Sequence, residues 1–506
     1  MLSKIFFIVN YLPLNIIMNK KIFILGGGTA GWLTALFINK TFPEYQVSLL
    51  ESEEIGVLGA GESTLMPFFN LLKDLDINEN EFIKETNSVF KLGSYYGNWS
   101  GDESFHVNAT LPGHGMVSPE TYGGNMADYF TFCFANNIDI KTRGLTKYLL
   151  HNKSPYALIN NKVEQIGAYT YQINAQLTAK YFRKLAQSRG VIRYEGKATK
   201  INGDTIITSI EDDHNRIHNF DFVFDCSGFA RLIIGKHHQT PWIDYTQHLP
   251  VDSAIPFFLP IEKEIPSYSS AIAMKHGWMF KLPTRERYGS GYVFDSNRVS
   301  SEEAKEEVVK RLGHDIDIIK NIKFRAGAYE RAWVGNSIAF CLAGGFLEPM
   351  TATNIGGMIF QFEKIKQSGL FNTDVNEFNQ YTKDMNTSFL NLVFMHYMTH
   401  RQDTDFWKYL QNKNETYPEQ FRLALEKHIV RGRFDIKGLS DVISQPADKI
   451  ITLFQGNDLY KKQAIEYCAK YRLNERYKMI DAQIVKNTET LISAGIDHRD
   501  YLENYI

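Results

Sequence analysis

The chain has 506 residues, of which 44% are hydrophobic and 13% aromatic, and its formal net charge is −2. This length and composition are typical of a globular protein of roughly three average domains. The charges form no basic block, which argues against an electrostatic nucleic-acid surface. The four cysteines have neither C-x-x-C nor metal-ligand spacing. We therefore expect no metal site and a reduced, cytoplasmic protein.

Residues 5–17, IFFIVNYLPLNII, are apolar and weakly resemble a signal sequence. However, they contain Asn10, Pro13 and Asn15, lack a small-residue cleavage site and are too short to span a bilayer. We expect residues 1–18 to be a poorly ordered extension, or the product of an upstream start codon, rather than a targeting signal. No other stretch of the sequence is apolar for long enough to suggest a membrane partner.

The next segment has the pattern of a dinucleotide-binding unit. KIFIL predicts a short strand, which Gly26, Gly28 and Gly31 follow as G-x-G-x-x-G at the start of a helical pattern. A second strand, QVSLL, ends on Glu51. The glycines would allow a tight turn, close approach to a pyrophosphate and close helix packing, and Glu51 would accept hydrogen bonds from a ribose. A glycine-rich turn in an unrelated α/β domain is the alternative.

Later segments favour FAD over a nicotinamide. Residues 170–196 read as a strand, an amphipathic helix ending at Gly190 and a further strand, as in flavin hydroxylases. DCSGF at 225–229 and LAGGFLEP at 342–349 then return the chain to the cofactor in the same order. We see no second nucleotide motif that would hold a nicotinamide.

These patterns predict an α/β fold with a Rossmann-like FAD-binding domain of the flavin monooxygenase type. We expect that domain within 19–362, an inserted substrate-side β-sheet, and a mainly helical C-terminal region at 363–506. The expected boundaries are about 21–100, 165–235 and 330–362 for the separated FAD-binding segments and about 236–330 for the inserted sheet.

Four further segments make the pattern specific. They are GESTLMP (61–67), GWMFKLP (277–283), EPMTATN (348–354) and HYMTHRQDTDFW (396–407). Over roughly residues 20–410 the chain resembles the flavin-dependent tryptophan halogenase family. It departs from the family's G-W-x-W-x-I-P signature at Phe280, which replaces the second tryptophan.

The resemblance implies a mechanism. In that family, reduced FAD and oxygen convert halide to hypohalous acid, which travels through a tunnel to a lysine that presents halogen to an electron-rich ring. NSVFKLGSYYGNW (87–99) resembles the segment that bears this lysine and places it at Lys91. A solvated surface lysine is the alternative, although the neighbours of Lys91 are apolar and aromatic. The expected partners are an aromatic small molecule and a separate flavin reductase.

The resemblance also implies a set of site residues. Thr353 and Asn354 would bind halide through their backbone amides, and His106 and Thr351 would lie on the substrate side, His106 as an aromatic clamp or as a core histidine. The expected FAD-binding residues are Gly26, Gly28, Thr29, Ala30, Gly31, Glu51, Ser52, Glu62, Ser63, Leu342 and Ile355.

Three residues depart from the family at this site. Thr351 stands where tryptophan halogenases have a glutamate, Ala352 replaces a serine, and Asn354 replaces a glycine. Threonine can donate a hydrogen bond but cannot act as a carboxylate base. We therefore expect a substrate other than free tryptophan. A flavin-dependent aromatic hydroxylase and a non-catalytic flavin-binding protein are the alternatives.

Overall fold

A computed structural model describes residues 20–56, 59, 61–109, 117–413 and 460–506. The predicted extension at 1–18 and a helical pattern at 421–430 lie outside the described residues. The α-helices in the described ranges are Thr29–Thr41, Met66–Asp74, Glu79–Thr86, Met126–Ala135, Gly144–Leu150, Ala175–Ser188, Ser301–Leu312, Thr353–Ser368, Val375–His396, Asp405–Lys413, Lys461–Lys470, Leu473–Ala494 and His498–Asn504. Within these ranges no helix combines the length and the apolar character needed to cross a bilayer.

A mainly parallel sheet carries the predicted nucleotide-binding unit. Its spatial order is Ile192–Glu195, Gln46–Glu51, Lys21–Leu25, Phe222–Asp225, Ser337–Ala339 and Trp333–Val334. The first five strands are parallel and the last returns antiparallel. A parallel sheet is covered on both faces, so its strands read as nearly continuous apolar runs. The strands predicted from KIFIL and QVSLL are both found, and the strand Phe222–Asp225, which leads into DCSGF, lies beside Lys21–Leu25 in the same sheet.

Two helices that begin at predicted site residues pack against each other on this sheet. Thr29–Thr41 begins at the glycine motif, and Thr353–Ser368 begins at the expected halide residues. Phe37 of the first stacks on Phe362 of the second, with ring centroids 4.1 Å apart and planes at 2°. Each buried phenylalanine contributes roughly 1.5–3 kcal/mol. This contact fixes the two helices relative to each other.

A seven-stranded sheet forms the second layer. Its order is Ile322–Lys323, Ser253–Pro260, Arg287–Phe294, Gly277–Pro283, Tyr268–Ala273, Gly93–Gly97 and Phe105–Ala109. Its last two strands come from the segment that directly follows Lys91, and Gly93–Gly97 pairs parallel with Tyr268–Ala273. The lysine segment is thereby joined to the larger antiparallel sheet.

The prediction of an inserted sheet over about 236–330 did not include one helix, Ser301–Leu312. Its signals were present in the sequence. Ser300 and Glu303 form a capping box, and Gly313 ends the helix with φ 78°.

Smaller three-stranded sheets complete the fold. One of them joins Glu62–Ser63, Thr170–Ile173 and Val89–Lys91, and another joins the late strand Gly495–Asp497 to Lys153–Ile159 and Lys162–Gln165. The remaining two are Ala198–Gly203, Ile207–Asp212 and Ile217–Asn219, and Trp242–Asp244, Gly327–Tyr329 and Gly345–Phe346. The predicted α/β class is confirmed, as is the mainly helical character of the C-terminal region over its described residues, 363–413 and 460–506.

Candidate active site

The glycine turn is held by close backbone contacts. The Gly26 N–H donates to the Leu50 carbonyl at 2.9 Å, and Gly26 has φ 116°, which L-residues rarely adopt. A Cβ atom at Gly26 would lie 2.2 Å from the Cys226 carbonyl oxygen, and one at Gly31 would lie 1.8 Å from the Gly26 carbonyl oxygen. Both positions exclude a side chain, which agrees with the turn and helix-packing roles predicted for them.

Gly28 differs because the space in front of it is open. A Cβ atom there would meet nothing within 4 Å. Gly28 caps the helix Thr29–Thr41 without a side-chain hydrogen bond, and the first turn contains no acidic residue. The helix start therefore offers free N–H groups and a partial positive charge to an approaching anion. Thr29 is buried and Ala30 partly buried beside this opening. These features fit the pyrophosphate of FAD.

Glu51 lies at the end of its strand in a network that sequence reasoning missed. Its Oε2 accepts from Trp32 Nε1 at 3.1 Å, and its Oε1 accepts from Arg193 Nε at 2.7 Å and Arg183 at 3.4 Å. An ionised carboxylate has about four acceptor positions, so it retains capacity for a ribose hydroxyl. Ser52 follows it and is partly buried. The arginines are too distant in sequence for any local pattern to reveal them.

Lys91 is buried. It ends the strand Val89–Lys91, pairs with Thr170 and is 5% exposed. Its Nζ donates to Ser63 Oγ at 2.6 Å and to the Thr64 carbonyl at 3.2 Å. The alternative of a solvated surface lysine is wrong. Burial of an amine disfavours its charged form, which is one way in which a lysine becomes reactive.

The acceptors of Lys91 belong to a segment that also contacts the Thr353–Ser368 helix. Leu65 follows Thr64, and its Cδ1 would lie 2.7 Å from a Cβ atom at Gly356. The Leu65 carbonyl accepts from Thr170 Oγ1 at 3.0 Å. Desolvation raises the pKa of Glu62, at the start of this segment, to about 7. Glu62 to Leu65 therefore connects the lysine to the first turns of that helix.

The helix Thr353–Ser368 starts in a form suited to a small anion. Ala352 precedes it with φ 55°, and the helix has neither a side-chain cap nor an acidic residue in its first turn. Thr353 is buried, and a cavity of about 40 Å³ beside it is lined by both Thr353 and Asn354. This cavity has room for a small ion. Cys341 also lines the cavity and lies 3.4 Å, Sγ to oxygen, from the Asn354 carbonyl.

The two remaining expected cofactor residues flank this start. Ile355 is buried in the first turn of the helix. Leu342 lies in a short 3-10 turn, Cys341–Ala343, and its carbonyl accepts from Arg231 Nε at 3.4 Å. Arg231 is a further residue that the sequence patterns did not indicate.

A buried carboxyl group lies just before Thr353 and Asn354, the residues expected to bind halide. Glu348 is 1% exposed, and the Tyr397 hydroxyl lies 3.1 and 3.0 Å from its two oxygens. Desolvation raises the pKa of Glu348 to about 8, partly offset by Tyr397 and the Trp278 ring N–H. Trp278 and Tyr397 come from two of the four resemblance segments. Glu348 itself belongs to a third, so three of the four segments meet at one carboxyl group.

The substrate-side residues are largely enclosed. The Thr351 hydroxyl is buried without a hydrogen-bond partner in the described ranges. His106 is 6% exposed and stacks on Tyr96 at 5.0 Å between ring centroids. Burial, aided by His396, lowers the pKa of His106 to about 3, so the ring is neutral. A neutral stacked ring is compatible with both an aromatic clamp and a core histidine.

Comparisons with known proteins agree with this geometry. The model of the tryptophan halogenase family matches residues 21–445. The chain is 29% identical to tryptophan 7-halogenase KtzQ of Kutzneria sp. (strain 744), with 77% of this chain and 78% of that enzyme covered. It is 28% identical to tryptophan 7-halogenase RebH of Lentzea aerocolonigenes, with 86% and 85% covered.

The fold is likewise shared with a solved structure. The crystal structure of tryptophan 6-halogenase SttH from Streptomyces toxytricini superposes with a TM-score of 0.82 at 22% identity, covering 96% of this chain and 99% of that one. This likeness confirms the Rossmann-like α/β fold. Because the family model spans most of the chain, the protein belongs to the tryptophan halogenase family of flavin-dependent halogenases.

Proposed function

We propose that this protein is a two-component halogenase that uses reduced FAD, oxygen and a halide ion to halogenate an electron-rich aromatic or heteroaromatic compound. When bound, reduced FAD with oxygen supplies the oxidising equivalents. Thr353 and Asn354 hold the halide at the helix start, and Lys91 directs hypohalous acid at the ring. The ring hydrogen is replaced by halogen, and water is the second product. A separate flavin reductase supplies the reduced FAD.

The observation that carries this proposal is the burial of the Lys91 amine. Its Nζ donates to Ser63 Oγ at 2.6 Å. Ser63 belongs to the segment 62–65, which packs on the helix Thr353–Ser368. A fixed ammonium can donate a hydrogen bond to hypohalous acid, and a fixed amine can accept halogen. Either route adds activation and direction to an otherwise indiscriminate electrophile.

The proposed substrate is not free tryptophan. Thr351 cannot supply a carboxylate base, and the Glu348 carboxyl is already bonded to Tyr397 in a setting that favours its neutral form. Loss of a proton from a halogenated ring is fast, so an enzyme without this base still turns over. Such a site suits rings that are more electron-rich than the unactivated positions of tryptophan.

A substrate-by-halide panel tests the proposal. Photoreduced FAD, oxygen and chloride, bromide or iodide are supplied with indoles, phenols or free tryptophan, and products are read by mass spectrometry. A halogen isotope pattern on indoles or phenols is expected. One added oxygen would identify a hydroxylase instead, and a clear preference for free tryptophan would contradict the substrate assignment.

Lys91→Met tests the role of the lysine. We expect product formation to fall by about 100-fold while FAD affinity is unchanged, since positioned acid–base groups contribute on that scale. Lys366→Met is the control, because Lys366 is a partly exposed lysine paired with Asp74 at 2.7 Å. Product formation that survives in Lys91→Met would remove Lys91 from the mechanism.

A further inference from the structure

The extreme C-terminal segment contacts the strand that bears Lys91. The strand Gly495–Asp497 pairs with Lys153–Ile159, and the helix His498–Asn504 follows it. Lys153 Nζ donates to Asp497 at 2.8 Å, and the Tyr501 ring stacks on Tyr156 at 4.3 Å. Tyr501 also contacts Phe90, the residue before Lys91, with ring centroids 5.7 Å apart, so a segment far away in sequence lies beside the candidate reactive lysine.

His498 makes the closest of these contacts. It is fully buried, and its Nε2 accepts a hydrogen bond from the backbone N–H of Phe90 at 3.1 Å. Its Nδ1 lies 3.1 Å from the Ile265 carbonyl, to which it donates. The two bonds fix one neutral tautomer of the imidazole. Burial lowers the pKa of His498 to about 4, in keeping with that neutral form.

The hydrogen bond from Phe90 to His498 matters because Phe90 lies on an edge strand. Val89–Lys91 is the edge strand of its sheet and pairs with Thr170–Ile173 on the other side. The Phe90 N–H therefore needs an acceptor outside the sheet, which His498 supplies. On the far side of Lys91, the Leu92 N–H donates directly to the Ser267 carbonyl at 2.7 Å.

The backbone on both sides of Lys91 is thus bound to the same segment, 265–267. Leu92 reaches it directly, and Phe90 reaches it through the imidazole of His498. We propose that His498 is a positioning residue for Lys91, which acts by fixing the strand from which the amine extends. This inference rests on the proposed function, because it assigns His498 to the delivery of halogen rather than to its formation.

A pair of amide substitutions tests the role. The amide of His498→Gln reaches the Nε2 position and can accept the Phe90 N–H, whereas the shorter amide of His498→Asn reaches the Nδ1 position and can keep only the Ile265 bond. Each variant receives photoreduced FAD, oxygen, bromide and an indole accepted by the parent. The measured quantity is brominated product per flavin oxidised, with escaping hypobromous acid captured by a soluble thioether.

We expect His498→Asn to lower this ratio by at least tenfold, with flavin oxidation and FAD affinity unchanged, and His498→Gln to recover most of it. Hydrogen exchange of a peptide spanning residues 88–92 should be faster in His498→Asn than in His498→Gln. Arg499→Ala is the control for general loosening, since Arg499 donates to the carbonyls of Lys263 and Glu262 and to the Glu503 side chain.

The outcomes separate the two proposals. Equal ratios in parent, Asn and Gln variants overturn the role of His498, as does an equal loss in Arg499→Ala. A changed exchange rate with an unchanged product ratio would make His498 a structural residue only. A parent protein that brominates no ring at all overturns the proposed function itself, and the role of His498 in halogen delivery falls with it.

Discussion

The nucleotide cradle and the lysine centre of this protein are built in different ways. The cradle lies within one strand–helix–strand unit, residues 21–51, and its shape follows from glycine contacts within the backbone. The lysine centre is assembled from distant segments: Lys91 binds the Thr64 carbonyl, Leu65 packs on the helix that begins at Thr353, and Phe90 donates to His498. Local backbone geometry specifies the first, and contacts between distant segments specify the second. Substitutions should therefore act by steric exclusion in the cradle and by lost or altered bonds in the lysine centre.

The largest effect is expected for Gly31→Ala in the cradle. The new Cβ atom would lie 1.8 Å from the Gly26 carbonyl oxygen, which is backbone and cannot move aside without displacing the strand or the helix. We expect the free energy of unfolding to fall by about 3 kcal/mol. Urea denaturation of the parent and the variant measures this. If the midpoint and slope of the urea transition were unchanged, the turn would accommodate the added methyl group at little cost in free energy, against this prediction.

Glu348→Gln tests the buried carboxyl group that precedes the helix Thr353–Ser368. The ordinary carboxyl pKa is 4.5, whereas that of Glu348 is about 8, so folding takes up a proton between these values. The stability that protonated Glu348 contributes to the parent protein is therefore present at low pH and is lost as the pH rises toward 8. The glutamine side chain of the variant does not titrate and can still accept from Tyr397.

The variant should therefore gain about 2 kcal/mol relative to the parent between pH 6 and pH 8. Urea denaturation across this range measures the difference, in which titrations common to both proteins, such as that of Glu62, cancel. A difference that stays constant with pH would mean that Glu348 is ionised in the folded protein.

Gly28→Ala is the matched contrast to Gly31→Ala. Gly28 has φ −73° and ψ −176°, which alanine adopts freely, and its Cβ would enter open space. We expect stability to change by less than about 0.5 kcal/mol. The affinity for FAD should nevertheless fall about tenfold, or 1.4 kcal/mol, because the methyl group occupies the approach of the pyrophosphate. Calorimetric titration with FAD measures this, and full affinity would place the phosphates elsewhere.

The same contrast explains what the sequence could predict. The glycine motif, Glu51 and the strands of the parallel sheet follow local rules, so they were found in their predicted places. Arg183 and Arg193 at Glu51, and His498 at Phe90, are 132, 142 and 408 residues away from their partners. Periodicity and short motifs carry no information about such pairs. The resemblance placed Lys91, but only the structure shows what holds it.

Thr351→Val should have the smallest effect. The Thr351 hydroxyl is buried with no partner in the described ranges, so valine replaces a desolvated polar group with a methyl group of nearly the same shape. We expect unfolding stability to rise by up to about 1 kcal/mol. Product formation should change less than threefold, because a neutral hydroxyl does not take the ring proton. Turnover and urea denaturation of the same preparation measure both quantities. A loss above tenfold, with oxidant formation unchanged, would instead make the Thr351 hydroxyl a contact of the reacting ring or of its halogen donor.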